Sequence, residues 1–181
     1  LNEKIQSPRS YEIFSETKGV FSSAVWESKI YFCSEQELLI YARQSHKLEV
    51  SITASSATGK FTGVFNLGEV VVVDTEKNGL FTVQNNALVP YTSEYNNLLF
   101  SIPSPSGKKN LIGKRDNRLF IQQGNDHKEI IPHPADFFSH HILSDGVWVS
   151  EDLLAVGTLR GGVIFINVTT GVTESIIDYS N

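Results

Sequence analysis

Gly146-Val147-Trp148, a short polar turn, Leu153-Leu154-Ala155-Val156, a turn closing in Arg160-Gly161-Gly162, and Val163-Ile164-Phe165-Ile166 make up the stretch whose reading decides the fold. Its apolar residues come as short β-branched and aromatic runs between turn formers, which is strand patterning; helical i, i+3, i+4 spacing is nearly absent. The same order recurs upstream as Ala24-Val25-Trp26, Ile30 to Cys33 and Leu38-Leu39-Ile40-Tyr41, and again as Gly63-Val64-Phe65, Val70 to Val73 and Leu80-Phe81-Thr82-Val83. A fourth copy reads Leu111-Ile112-Gly113, turn, Leu119-Phe120-Ile121-Gln122, behind a looser Phe100-Ser101-Ile102. Taken from Leu38 through Leu80 and Leu119 to Val163, the copies lie 42, 39 and 44 residues apart.

Each unit continues into a last short strand, expected at Leu48 to Ile52, Leu88 to Tyr91, Glu129 to Ile131 and Thr173 to Ile177. The turns Glu76-Lys77-Asn78-Gly79, Arg115-Asp116-Asn117 and Arg160-Gly161-Gly162 supply Gly and Asn, the residues that accept the positive φ of tight hairpins. Four short antiparallel strands at a period near 40 residues are the signature of a β-propeller blade. A single sandwich would not repeat one order of elements at a fixed spacing. The fold class expected is therefore all-β, with about four four-stranded blades at approximately 20–55, 60–95, 97–135 and 140–178. They form one segment over 1–181, a partial propeller truncated from a longer protein. The sequence has no Met, which fits an excised piece, and its last residues, Ile177-Asp178-Tyr179-Ser180-Asn181, stand where earlier units pass into the next. About four blades is the lower limit for a closed ring. Either the blades form an open arc or two chains complete one ring as a homodimer.

Composition narrows the partners. Fifteen Lys and Arg against twenty Asp and Glu give a net charge of −5 without blocks of either sign, so no basic stripe awaits nucleic acid or an anionic membrane. No apolar run approaches the roughly 20 residues that span a bilayer, and no charged-then-apolar leader stands at the start. The single cysteine, Cys33, sits in the apolar run Ile30-Tyr31-Phe32-Cys33 and reads as a buried small hydrophobe.

Leu154-Ala155-Val156-Gly157-Thr158-Leu159-Arg160-Gly161-Gly162-Val163-Ile164-Phe165-Ile166 resembles the two-component regulator propeller repeat, an apolar strand ending in Gly-Thr followed by Gly-Val and an aromatic strand. Asn78-Gly79-Leu80-Phe81 and Lys18-Gly19-Val20-Phe21 are weaker versions. Ala155 stands where that family usually has Trp, and the Gly-Thr pair is missing from the first three units. The resemblance implies a periplasmic or otherwise extracytoplasmic sensor region of a histidine kinase or hybrid regulator, receiving an extracellular ligand or contacting an adjacent sensor domain, and it transfers no ligand residue. Beside this first reading stand a protein-protein interaction scaffold and, third, part of a lyase or glycosidase propeller.

Residues capable of chemistry are few, and the expectation is no catalytic, cofactor or metal site and no enzymatic activity in this segment. Ser56-Ala57-Thr58-Gly59-Lys60 resembles a phosphate loop, but Ala54 stands at its first glycine and Phe61 follows the lysine. Asp74 to Gly79 matches half of a calcium loop whose closing Glu is replaced by Asn85. His133, Asp136, His140 and His141 cluster around Pro132 and Pro134, at spacings that suit a solvated connection better than zinc. Trp26, Phe65 and Trp148 recur at equivalent positions and are read as core between blades. The residues that break the repeat, Pro103-Ser104-Pro105-Ser106-Gly107-Lys108-Lys109-Asn110, form the candidate recognition loop.

Overall fold

The computed structural model describes residues 19–91, 95–124 and 126–178; Lys18 of the opening motif and the closing residues 179–181 lie outside them. Sixteen strands in the described residues form four four-stranded sheets, each in chain order: β1(Ser22–Trp26) to β4(Lys47–Thr53), β5(Phe61–Asn66) to β8(Ala87–Pro90), β9(Leu98–Pro103) to β12(Asp126–Glu129), and β13(Leu143–Trp148) to β16(Thr173–Ile177). This is the expected all-β class, one sheet per repeat.

The hairpin turns follow the chemistry that the sequence prescribes. Positive φ falls at Gly79, Asn117 and Gly162, the closing residues of three of the four turns between second and third strands. Before two of these turns a threonine hydroxyl donates across the neck, Thr75 to the Gly79 carbonyl and Thr158 to the Gly162 carbonyl. One expected strand is displaced. Glu129 to Ile131 reads as apolar and extended, yet β12 ends at Glu129, while Ile130 donates its N–H to Leu119 and is buried and Ile131 is 64% exposed. The isoleucines leave the sheet edge to begin the connection to β13.

The described residues divide into two compact units, those of 19–64 with 73–91 and those of 65–72 with 95–178, so that strands of the second sheet fall in both. In the first unit, Ala24, Tyr31, Ile40 and Val50 lie side by side across β1–β4 and are all buried, with Cys33 and Leu38 one row along. Ser22 Oγ donates to the Val64 carbonyl and accepts from its N–H, tying β1 of the first blade to β5 of the second.

The core of the second unit joins the third blade (β9–β12) to the fourth (β13–β16). Leu111, Leu119 and Phe100 from one meet Leu154, Val156, Ile164 and Ile166 from the other. Two glycines set the closeness of packing. A Cβ on Gly113 would overlap the Phe100 ring at 2.4 Å, and one on Gly146 would approach Leu111 at 2.7 Å. Between these blades lies a helical turn, α1(Phe137–His140), that buries Phe137 and Phe138 in the same core. A strand-only reading had no place for it: two adjacent aromatics carry no 3.6-residue period, and a four-residue turn is too short to register one.

Candidate functional site

Trp148 is buried, and its indole N–H donates to the Ile102 carbonyl at 2.9 Å, pinning the fourth blade to β9 of the third. Phe65 is buried as well, and Trp26 is half-buried. Trp148 is thereby a packing residue, as its place in the repeat suggests.

Polar groups elsewhere find partners within the fold. Ser55 and Thr58 bond reciprocally, the Ser55 N–H to Thr58 Oγ1 and the Thr58 N–H to Ser55 Oγ. Lys60 pairs with Glu35 at 2.6 Å, and the hydrogen bond and charge of that glutamate raise its ammonium pKa. In the phosphate-loop look-alike, Ser55, Thr58 and Lys60 are thus bonded within the fold. In the half calcium loop, Asp74 is buried and accepts from the Thr75 N–H, while Thr75 Oγ1 accepts from Asn78. Hairpin closure is what these oxygens accomplish.

The histidine-rich connection separates its members. His140 meets Asp136 at 3.3 Å along α1, His133 is exposed with its N–H on Thr173, and the His141 ring packs on Phe137 and on the backbone of Gly161. Among the described residues no three His, Cys, Asp or Glu side chains converge on one point. Cys33 is fully buried; desolvation pushes its thiol up to about 12, which disfavours the reactive thiolate at neutral pH.

The repeat-breaking loop is where surface chemistry gathers. Ser104 is buried at its base and closes the turn by accepting from Lys109, while Pro105, Ser106, Gly107 and Lys108 are exposed. The loop is held from the next blade. Glu151, in the turn between β13 and β14, accepts from both the N–H and the hydroxyl of Ser106, and Lys109 Nζ donates to the Glu151 carbonyl at 3.3 Å and to Asp152 at 3.5 Å. Thr169 donates to the same Asp152 at 2.8 Å; chiefly by this hydrogen bond, and next by the charge of Lys109, the Asp152 carboxyl is kept below its ordinary pKa.

Two concavities open beside this loop. A groove of about 280 Å³ has Ile121, Ile130 and Val168 as its apolar lining and Lys109, His127 and Lys128 among its polar residues. A smaller hollow of about 150 Å³ is lined by Gly68, Lys108, Asn110 and Gln122. Gln122 donates to the Gly124 carbonyl, and its Oε1 is buried without a partner among the described residues. An apolar strip with a few fixed polar groups can bind an extended segment. Of the loop, sequence indicated the residues; the carboxylate that holds it, Glu151, lies 45 positions from Ser106 and gives no local signal.

No protein-family model matches the chain, and no curated protein matches it. Solved structures do. Over 85% of its length the chain is similar to the β-propeller domain of Myceliophteria thermophila Cps50 (Swd1), at 11% identity and TM-score 0.56, covering 54% of that chain. Over 88% it is similar to a chain of the Mitotic Checkpoint Complex, at 15% identity and TM-score 0.58, covering 51% of that chain. Over 88% it is similar to the WD40 β-propeller domain of Doa1, at 14% identity and TM-score 0.53, covering 54% of that chain. The chain spans about half the length of each. At these identities the likeness shows the fold alone: the chain is a β-propeller segment, and the two-component regulator resemblance gains no support from it.

Proposed function

We propose that the chain is part of a non-catalytic protein-interaction propeller, in which the sheets serve as a rigid mount and the turns of the second unit present the binding surface. The observation that carries this reading is the loop 103–110, which departs from the repeat and is nonetheless fixed by Glu151 and Asp152 of the next blade. A loop held in place loses little conformational entropy when a partner arrives, so its contacts appear as affinity. The groove beside it suits an extended segment with an aliphatic anchor seated on Ile121, Ile130 and Val168. The structural neighbours support a scaffold over a sensor. The sensor reading, with its extracytoplasmic placement and sensed ligand, rests on the Leu154 to Ile166 motif and its weaker versions.

The test places a photo-cross-linking residue at Pro105 and, separately, at Lys108. One protein captured from both positions is the expected result. Its affinity, measured by titration calorimetry, should fall at least tenfold on deletion of residues 104–108 and in Glu151→Ala. Equal affinity in the deleted chain would remove the proposal.

A further inference from the structure

Asn110 and Gln122 stand opposite one another on β10(Asn110–Lys114) and β11(Leu119–Gln123), and both line the hollow of about 150 Å³ beside the 103–110 loop. Strand alternation sets their side chains on one face of the third blade's sheet and those of Leu111 and Ile121 on the other, so the hollow and the apolar groove belong to different faces. Asn110 is 5% exposed, and among the described residues its carboxamide makes no hydrogen bond; its register partner on β9 is Pro103, whose ring offers no polar atom. Gln122 commits its Nε2 to the Gly124 carbonyl, which fixes Oε1 as an acceptor, and that oxygen is buried with no partner among the described residues. Gly68, in the turn that follows β5, keeps the approach to Asn110 open. It lies at φ +90°, and a Cβ there would come within 3.0 Å of Asn110 Nδ2.

Buried polar groups in folded proteins are paired, by protein or by ordered water, because an unmade hydrogen bond is costly. Here a donor and an acceptor on neighbouring strands line one hollow unpaired, and their chemistry selects a ligand. A carboxylate would accept from Asn110 Nδ2 but repel the Gln122 oxygen. An ammonium would donate to Gln122 and leave Asn110 Nδ2 unanswered. A backbone peptide group carries its donor and acceptor in opposite directions, whereas a primary carboxamide presents both on one edge. Exposed Glu69 and Lys108 line the same hollow, one charge of each sign and neither in an ion pair among the described residues, so the surroundings favour neither ion. The volume takes a carboxamide and the methylene that bears it, and a lone hydroxyl would leave much of it to water.

We propose that this hollow is a subsite for the side-chain carboxamide of an Asn or Gln on the partner segment, which donates to Gln122 Oε1 and accepts from Asn110 Nδ2. The proposal rests on the interaction surface proposed above and adds the residue class that the surface selects. Polar groups matched by both ends of an amide reject isosteres that lack either end.

Propionamide, the end of an Asn or Gln side chain, tests it by titration into the isotope-labelled 181-residue chain, beside propionate, propylammonium and propanol. Backbone N–H signals of Gly107 and Gly124, which line the hollow, are followed by NMR, with Gly79, which lines neither concavity, as reference. Propionamide should give saturable shifts at Gly107 and Gly124, half-complete at a concentration at least fivefold below that of any isostere. Gln122→Leu, folded as judged by the remaining signals, should raise that concentration at least fivefold. No saturable shift, equal half-saturation by propanol or either ion, or unchanged binding in folded Gln122→Leu would overturn the proposal; the isostere comparison needs no variant and holds even where Gln122→Leu does not fold. No partner enters the titration, so the two readings fail separately: absent shifts strike the subsite, and absent cross-links at Pro105 and Lys108 strike the surface.

Discussion

Cys33 illustrates how much a single position inherits from its surroundings. Its thiol is inaccessible, its hydrogen is directed to the Ser34 carbonyl at 3.4 Å, and burial alone accounts for a pKa near 12. Native protein at pH 8 should therefore take up no iodoacetamide, and denatured protein should take up one equivalent, read by intact mass. Gly162 is constrained by its backbone. It sits at φ +78°, and a Cβ there would overlap the Ile177 carbonyl oxygen at 1.9 Å. Gly162→Ala must shift the β16 backbone as well as accept a left-handed conformation, and is expected to cost about 2 kcal/mol or more. For a domain of this size each kcal/mol lowers the melting temperature by roughly 2–4 °C, measurable by calorimetry. The sequence marks position 162 as a turn glycine, but only the structure shows the carbonyl that excludes every other residue.

At the scale of elements, turns are legible and their mutual attachments are not. The hairpins closed by Gly79, Asn117 and Gly162 follow from local chemistry. The tie between the β9–β10 loop and the β13–β14 turn joins residues more than 40 positions apart and depends on charge. Asp152 has a pKa lower in the folded chain than its ordinary value, so the stabilisation it contributes is present above the unfolded-state pKa and is lost as pH falls through the folded one. Glu129 behaves in the same direction, since Arg118 donates two hydrogen bonds to it at 2.8 and 2.7 Å. Below about pH 4, the range of ordinary carboxyl titration, stability should decline, and more shallowly in Asp152→Asn, followed by denaturant titration across pH. An acid limb identical to that of the parent would mean that the tie contributes nothing.

For the molecule as a whole, the two faces of one sheet make the sharpest contrast. Leu154 and Ile164 point into the core shared with the third blade and have no accessible surface, whereas Val147, one residue along from Trp148, is 55% exposed. Leu154→Ala should destabilise by about 2–5 kcal/mol, as large-to-small changes in cores do. Val147→Thr in the same chain should change stability by no more than about 0.5 kcal/mol, the range of ordinary surface substitutions. Comparable losses at both sites in chemical denaturation would mean that the outward face is already covered. The sequence by itself determined the all-β class, the forty-residue repeat and the antiparallel order of four strands per unit, because strand alternation and turn chemistry are local and recur at each copy. Only the tertiary structure decided which apolar row is core and which is surface, where Phe137 and Phe138 go, and what holds the 103–110 loop. Alternation assigns residues to two faces of a sheet without naming the neighbour of either, and that neighbour comes from contacts distant in sequence.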